Sequence, residues 1–506
     1  MISSQKIVSA LHANWWLNLA GLLISFSASV VLVRTVTPEV FAQYAAVVAM
    51  IGVASLVFEA GANSGLTRYL NEAVQENAAG TFYLRMQRRR WWAALACAVV
   101  IIAFGPMYAR TTQLGSAAAQ PWLFVLMAVV VAGTLTKLLA HYGLLALFET
   151  KTALLLQQGF LVLRSIALAL IGLAGGGLMG LVVALLAITL VEAFLAHRRF
   201  WRLVADARAP ISREFIDRAQ KFGLLTIFDK VCAMLGSGSV ILLILAPRHP
   251  ATIIAFLALA VDLVGKVVSL TVMPMGNLVG PYLSQTKDDA GAQGVAIARV
   301  LKLSALLYAF TIGAALLLTP WFIELLYGGK YNGAIALTLL LLVPTAFENW
   351  IRGCCSPALL RNGRGRDLVK LNVVQAVATV GTLALLYEHR IEVVIAGVGG
   401  VRAAVASLNL VLLRTLVPAR SYRVPLQGAV VALLSCAVAY SWGSLLPLPP
   451  TGRAVVQGLA FALLFYAGLR WVVLRDRDTL HLAHRITGHR APFIARLLPP
   501  APVLNS

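Results

Sequence analysis

The chain has 506 residues, of which 60% are apolar and only 12% are charged, and its formal net charge is +22. This composition is too apolar for a soluble globular protein and indicates an integral membrane protein. The excess of lysine and arginine does not indicate a nucleic-acid-binding protein, because the basic residues lie in short runs between long apolar segments, which is the pattern of membrane topology.

The five cysteines lie in or at the edges of apolar segments, and none has the CxxC or metal-ligand spacing of a zinc site. They are Cys97, Cys232, Cys354, Cys355 and Cys436. This placement predicts cysteines that pack inside the protein rather than a disulfide framework. The sequence therefore predicts neither a bound metal nor a cofactor.

Apolar segments long enough to cross a membrane follow one another along the chain. A spanning helix needs about 20 mostly apolar residues, and fourteen segments reach this length. They begin near Ala13, Phe41, Trp91, Pro121, Thr152, Gly176, Phe222, Ala251, Leu301, Gly333, Leu368, Ile391, Pro425 and Arg453. We predict an all-α, polytopic membrane protein with 14 transmembrane helices and no room for a soluble domain.

Lysine and arginine are concentrated in alternate connections between the predicted spans. The N-terminal tail and every second loop after it hold most of them. The other loops hold six, namely Arg34, Arg110, Arg248, Lys330, Arg390 and Arg453. Because cytoplasmic loops carry the excess of positive charge, both termini are predicted to be cytoplasmic.

The pattern of the first spans recurs later in the chain. Pro250 follows the seventh span as Pro38 follows the first, and Tyr282 lies 213 residues after Tyr69 in a similar context. Two parallel six-helix lobes are a known transporter plan. The predicted organisation is an N-lobe at 1–197 (spans one to six), a basic cytoplasmic linker at 198–221, a C-lobe at 222–415 (spans seven to twelve), two further spans at 416–475 and a basic cytoplasmic tail at 476–506.

Charged residues inside the apolar segments are the main functional signal. A charged side chain near the bilayer centre costs at least about 2.5 kcal/mol, so it usually faces a bundle interior or a watery cavity. Span seven carries Asp229 and Lys230, and span eight carries Asp262 and Lys266. The i,i+4 spacing of Asp262 and Lys266 lets them pair on one helix face, and such a pair serves either structure or transport.

Three further cations lie inside spans and have no acidic neighbour at helical spacing: Lys137, Arg164 and Arg402. Unpaired cations at membrane depth create a positive field that suits an anionic ligand. Arg164 is the better candidate, because the longer reach of a lysine side chain lets Lys137 snorkel towards the interface.

Polar side chains form stripes on single faces of two spans. Asn14 and Asn18 lie on one face of span one, and Asn372 and Gln375 lie on one face of span eleven. Such stripes either bind helices together or line a wet cavity. Span seven has a similar stripe at Phe222, Thr226, Asp229, Ala233 and Gly236. We favour the cavity wall for spans one and seven, since charge joins the stripe in span seven, and both interpretations stay open for span eleven.

Four short motifs follow one another along the chain. They are VRTVTPEVFAQY at 33–44, Gly61 followed by RYLNE at 68–72, YGGKYNGA at 327–334 and RNGRGR at 361–366. In this order they resemble bacterial polysaccharide flippases of the multidrug, oligosaccharidyl-lipid and polysaccharide exporter superfamily. With the 14 spans, the resemblance covers essentially the full length. It carries over no individual substrate-binding arginine by motif, because spans one and two hold few cations.

The resemblance implies two six-helix lobes around a cavity that opens alternately to either side of a bacterial cytoplasmic (inner) membrane. It implies a flippase that moves undecaprenyl-pyrophosphate-linked oligosaccharide repeat units to the outer leaflet for surface or exopolysaccharide assembly. It also implies coupling to a cation gradient, of protons or sodium, with Asp229 or Asp262 as the candidate carboxylate. Membrane lipids and a polysaccharide polymerase are the further partners to expect.

On this hypothesis, cations attract the diphosphate and amides contact the sugars. The cations are Arg164, Lys230, Lys266, Arg402 and Lys137, and the amides are Asn14, Asn18, Asn372 and Gln375.

Three alternative functions share features with this hypothesis. A peptidoglycan lipid-linked precursor flippase shares the fold and the anionic head group. A multidrug cation antiporter of the same superfamily predicts an acidic rather than a basic cavity. A membrane enzyme would need catalytic groups on a substantial outward loop, whereas the longest such connections are about a dozen residues, so we do not expect an enzyme.

Overall fold

The computed structural model describes residues 4–59, 61–112, 120–284, 290–362 and 364–470. Within these ranges the side chains are described except at 4–18, 225, 229, 270–284, 290–293, 357, 360, 361 and 419. The predicted basic tail at 476–506 lies outside the described residues.

The secondary structure in these ranges is helical throughout, with no β-strand, which confirms the predicted all-α class. The α-helices are α1 Ser4–Thr35, α2 Pro38–Val57, α3 Ala62–Gln75, α4 Ala79–Thr111, α5 Pro121–Ala146, α6 Thr150–Leu173, α7 Leu178–Val204, α8 Arg213–Leu235, α9 Gly238–Leu245, α10 Ala251–Ser284, α11 Ala290–Tyr327, α12 Ala334–Arg361, α13 Gly365–Leu386, α14 Ile391–Leu413, α15 Arg423–Leu445 and α16 Pro450–Gly468. Two short 3₁₀ helices lie at Gly329–Tyr331 and Ala419–Tyr422.

Among the described residues, eleven helices are long and apolar enough to cross a membrane, or twelve if α8 and α9 form one broken span. The described part of α1 adds the shorter apolar helix Leu19–Thr35. Each of the fourteen predicted segments begins in or next to one of the α-helices. The chain is therefore a multi-pass membrane protein, and the number fourteen stays a prediction.

The predicted seventh span is broken in the structure. Helix α8 ends at Leu235, and α9 begins at Gly238 at an angle of 56° to α8. Ser237 caps α9, because its hydroxyl accepts a hydrogen bond from the Val240 amide at 3.4 Å. A serine cap after a glycine stops one helix and starts the next, so the polar stripe predicted for this span ends at the break.

By its contacts the chain divides into two compact units. Unit 1 comprises Met1–Leu259 and Gln375–Glu388, and unit 2 comprises Ala260–Val374 and His389–Ser506. Within unit 1, α5 packs on α4 and α7, and α1 packs on α6. Within unit 2, α12 packs on α14, and α11 packs on α12 and α15. The lobe boundaries given above stay a prediction.

Unit 1 has two apolar cores that follow each other along α5 and α7. The first core contains Phe124 and Leu185, and the second contains Leu139 and Phe200. Lys137 lies between the two cores on α5, and Glu192 lies between them on α7. The helices therefore carry a polar layer between two apolar ones.

Helices α3 and α8 of unit 1 meet at two glycines without room for side chains. Gly61, which precedes α3, has a φ of +68°, and a Cβ placed there would lie 2.0 Å from the carbonyl oxygen of Gly223. A Cβ at Gly223 would lie 2.7 Å from the Gly61 carbonyl oxygen. Small residues permit such close backbone approach in membrane helices. Glu59, which follows α2 and lies two residues before Gly61, is therefore held close to α8.

We expect Gly61→Ala to destabilise the protein by more than about 1 kcal/mol, because alanine is strained at positive φ and its methyl group would collide with backbone. The temperature at which half of the detergent-solubilised protein leaves the monodisperse peak in size-exclusion chromatography measures the change. Gly52→Ala is the control, since nothing lies within 4 Å of a Cβ there. Equal melting of the two variants would contradict the close crossing.

Candidate functional site

The polar layer of unit 1 contains a buried ion pair between α5 and α7. Lys137 Nζ lies 2.6 Å from Glu192 Oε2, and both side chains are largely buried. His141 lies one turn further along α5, with Nε2 3.9 Å from Glu192 Oε1. Lys137 thus has an acidic partner from another helix, which spacing along one helix does not reveal.

A second ion pair joins the end of α2 to α8. Lys230 Nζ lies 2.8 Å from Glu59 Oε1. Glu59 is buried, with 4% of its surface exposed, whereas one third of the Lys230 side chain is exposed. Glu59 directly precedes the glycine crossing between α3 and α8. That crossing therefore sets the position of its carboxylate.

Arg90 is a buried cation that sequence reasoning missed. Only 2% of its surface is exposed, and its guanidinium donates hydrogen bonds to the Leu135 carbonyl and to Asn63 Oδ1. Its place in the basic run just before Trp91 predicts a residue of a cytoplasmic loop. Helix α4, however, begins at Ala79, well before Trp91, and the helical spacing of Tyr83 and Arg90 on one buried face was the available signal.

A cavity of about 290 Å³ lies in the polar layer of unit 1. Its charged lining residues are Glu59, Lys137 and Arg164. Its hydroxyl-bearing lining residues are Ser55, Thr134 and Thr189. Ser55 Oγ is buried and has no hydrogen-bond partner among the described residues. The cavity therefore offers charged groups, hydroxyl groups and a free polar atom to a ligand.

Arg164 differs from Lys137 and Lys230. Within the part of the chain that the structure describes, no carboxylate lies within 4 Å of its guanidinium, whereas Lys137 and Lys230 each bind one. Arg90, Lys137, Arg164 and Lys230 together outnumber Glu59 and Glu192. The described charges around the cavity are therefore positive in sum, which favours an anionic ligand.

Unit 2 contains a separate buried charge cluster. Glu348 on α12 lies 2.8 Å from Arg402 Nε and 3.2 Å from Arg352 Nε. Arg352 also donates a 2.7 Å hydrogen bond from Nη2 to Asn372 Oδ1. Arg402 donates a 2.9 Å hydrogen bond from Nη1 to Thr345 Oγ1. Arg402 is therefore neutralised by a glutamate of a neighbouring helix, although its own helix offers no carboxylate at helical spacing.

The remaining candidates lie as follows. Lys266 Nζ is 2.5 Å from Asp262 Oδ2 on α10, so the pair that the spacing predicts is present in unit 2. Gln375 is buried in unit 1 beside Gly236, whose added Cβ would lie 3.2 Å from its Nε2. Asn14, Asn18 and Asp229 are named candidates that lie outside the described side chains.

The structure thus brings Lys137 and Arg164 together at one cavity of unit 1, and Lys230 is joined to this cavity through Glu59. Lys266, Arg402 and Asn372 belong to unit 2. All five cysteines are free thiols. No group of three or more metal-ligating side chains occurs in the described ranges.

The helices and the charged cavity define the class of the protein: a polytopic membrane transporter fold. The structure is similar to "Lipid II flippase MurJ, inward closed conformation", with a TM-score of 0.73 and 11% identity over 92% of this chain and 99% of that one. It is similar to an inward-facing MATE family multidrug resistance transporter of the MOP superfamily, with a TM-score of 0.61 and 16% identity over 80% and 95%. It also resembles a MOP superfamily transporter from Pyrococcus furiosus, with a TM-score of 0.55 and 15% identity over 82% and 96%.

The sequence profile of the family "Polysaccharide biosynthesis protein" matches residues 13–287, which is more than half of the chain. The chain therefore belongs to this family, as the sequence motifs predicted. No curated protein matches it significantly in sequence. At the identities above, the structural likeness shows the fold alone, and the named structures that share it are transporters and flippases.

Removal of one partner of the Lys137–Glu192 pair tests its role in the fold. We expect Glu192→Gln to destabilise the protein by about 3–5 kcal/mol, because it leaves a buried charge uncompensated. Adding Lys137→Met should restore much of the stability, because no charge then remains to be compensated. Thermal unfolding of the detergent-solubilised single and double variants measures this.

Glu76→Gln is the control for that experiment, since Glu76 is exposed. A double variant that is no more stable than Glu192→Gln would contradict a compensated pair.

Proposed function

We propose that this protein flips an undecaprenyl-pyrophosphate-linked oligosaccharide repeat unit from the cytoplasmic to the outer leaflet, for surface or exopolysaccharide assembly. Membership of the polysaccharide biosynthesis family supports the class of substrate. The transporter fold, shared with a lipid flippase, supports the reaction. The protein resides in the bacterial inner membrane with both termini in the cytoplasm, as the distribution of lysine and arginine predicts.

The observation that carries this proposal is Arg164 in the cavity of unit 1, where no described carboxylate neutralises it. A diphosphate cannot enter hydrocarbon unaided, because transfer of charge and polar groups without partners is prohibitive. Arginine presents several donors in a planar fork that matches phosphate oxygens. Arg164 thus supplies a partner that hydrocarbon lacks.

The neighbouring groups complete the proposed anion site. Lys137 adds a second cation to the lining, and Ser55 Oγ adds a hydroxyl that is not engaged in a hydrogen bond with the described residues. Glu59, which also lines the cavity, binds Lys230 on α8. A lysine ammonium has three donors, so Lys137 can donate a hydrogen bond to a phosphate oxygen while it keeps Glu192, and no buried carboxylate is left without its partner.

The volume of the cavity bears on which part of the substrate it holds. About 290 Å³ is at the lower end of the range for small-molecule pockets. It suits the diphosphate and not a whole repeat unit, so the sugars lie outside it. We assign sugar contacts to Asn14, Asn18, Asn372 and Gln375. Gln375 and Asn372 are buried in this conformation and must become accessible during transport.

Transport proceeds by alternating access, as in transporters whose repeats rock around a fixed site. We assign the coupling cation, a proton or sodium, to Asp229 or Asp262, and Lys266 and Arg402 stay candidates for substrate contact in unit 2. Asp262 is bound to Lys266 in this conformation, so a change in this ion pair accompanies cation binding at Asp262. A polysaccharide polymerase is the partner that receives the product.

A peptidoglycan-precursor flippase is the second candidate function. The observation in its favour is the TM-score of 0.73 to the lipid II flippase over 99% of that chain. A multidrug cation antiporter is disfavoured, because the described cations around the cavity outnumber the carboxylates, and such a cavity repels cations.

We expect Arg164→Ala to lower export at least about tenfold, since a hydrogen bond to a charged group contributes about 1.5–3 kcal/mol. Arg164→Lys should retain part of the activity because it keeps the charge but not the fork. Surface polysaccharide per unit of membrane-inserted protein is the measurement.

Arg110→Ala is the matched control, since Arg110 is an exposed cation at the far end of α4. Normal polymer output from Arg164→Ala at normal protein levels would remove Arg164 from the site.

Deletion of the gene separates the two candidate functions. We expect cells that also lack the enzyme initiating repeat-unit synthesis to survive the deletion, because no toxic lipid-linked intermediate then accumulates. Their growth rate and colony count should match those of the parent. Loss of viability with accumulation of peptidoglycan precursor would instead support the precursor flippase.

A further inference from the structure

Unit 2 contains a large apolar groove that is separate from the charged cavity of unit 1. It has a volume of about 610 Å³ and lies between α11, α12, α14 and α15. Aromatic side chains, including Tyr308, Phe347 and Trp350, form much of its wall. The groove therefore suits a hydrocarbon chain rather than a sugar or a diphosphate.

The groove extends over about one leaflet of a membrane. On α11 its lining runs from Ala305 to Leu316, which is a rise of about 16 Å at 1.5 Å per residue. The hydrocarbon core of a bilayer is about 30 Å thick, so half of it is about 15 Å. On α15 the lining runs in the same direction, from Pro425 to Cys436, and has a similar extent.

A cation lies at one end of the groove. Arg414 follows the last residue of α14, lines the groove and is exposed. Across the described ranges no carboxylate lies within 4 Å of its guanidinium, and Tyr422 lines the same end. Arg420 and Arg423 follow in the same connection. The apolar wall thus ends at a basic rim.

The basic rim is on the side predicted to be cytoplasmic, because this connection belongs to the set of loops that carries the excess of lysine and arginine. The cytoplasmic leaflet is the one whose anionic lipids attract basic residues beside a membrane helix, each contributing about 1 kcal/mol. An apolar groove of one leaflet's depth with a cation at this end matches both parts of an anionic phospholipid.

We propose that this groove binds an anionic phospholipid of the cytoplasmic leaflet, with one acyl chain between α11, α12, α14 and α15 and the headgroup phosphate on Arg414. The acyl chain fills the groove and makes dispersion contacts with its apolar wall, as side chains do in a close-packed interior. This site is independent of the function proposed above, since it shares no lining residue with the cavity that contains Arg164.

Native mass spectrometry of the purified full chain, equilibrated with equal amounts of phosphatidylglycerol and phosphatidylethanolamine, tests the proposal. The wild type should retain one phosphatidylglycerol molecule in preference to phosphatidylethanolamine. Ala429→Phe should abolish retention, because Ala429 lines the groove on α15 and the ring occupies the path of the chain. Ala429→Leu, a milder change, should reduce retention without disturbing the fold.

The headgroup contact is tested by Arg414→Gln, which should lower the preference for phosphatidylglycerol about fivefold, the equivalent of one basic residue near the surface. Two matched controls keep wild-type retention. Ala437→Phe places the same ring on an exposed position of α15 outside the lining, and Arg110→Gln removes an exposed cation elsewhere.

Two competing ligands test which kind of molecule the groove binds. Glycerol phosphate at millimolar concentration should not displace the lipid, and displacement by it would show a simple phosphate site and overturn the proposal. Displacement by undecaprenyl phosphate at equal concentration would assign the groove to the substrate's tail and likewise overturn it. Retention unchanged in Ala429→Phe would do the same. Arg164→Ala should keep the lipid, so this proposal and the proposed function fail separately.

Discussion

The structure depends on the compensation of charges that lie inside apolar helices. A lone charge in hydrocarbon is costly, and a carboxylate on a neighbouring helix removes most of that cost. Helix α5 is tied to α7 in this way, and α2 is tied to α8. In unit 2 one glutamate, Glu348, serves two arginines. The ion pairs thus join neighbouring helices within each unit, and the apolar cores pack around them.

Arg164 is informative because it has no compensating carboxylate within 4 Å among the described residues, although it shares a cavity with the paired Lys137. The helices around it supply an apolar wall, hydroxyl groups and two other charged side chains, but the described residues give it no carboxylate partner. Glu59 lines the same cavity but binds Lys230, so the proposal of an anion site depends on Arg164, which has no carboxylate within 4 Å among the described residues. The polysaccharide biosynthesis family and the transporter fold agree with a phosphate-bearing lipid as that anion.

The backbone positions these charges through two interruptions. Gly61, whose backbone is left-handed, lies two residues after Glu59 at the start of α3, and its contact with Gly223 brings α8, and with it Lys230, close to Glu59. The break between α8 and α9 turns the chain at Ser237. Glycine permits the close approach of two backbones, and serine caps a new helix after the break. A continuous straight helix would instead carry its charged residues along one face.

Composition and periodicity alone determined that the chain is an all-α membrane protein, since only helices satisfy the backbone of twenty-residue apolar segments in lipid. The motifs led to the correct family, and the i,i+4 spacing led to the Asp262–Lys266 pair, because that contact is local. The partners of Lys137, Lys230 and Arg402 were decided only by the tertiary structure. Their carboxylates lie 55, 171 and 54 residues away along the chain on other helices, and a sequence pattern records the period of one helix but not the neighbour that its face meets.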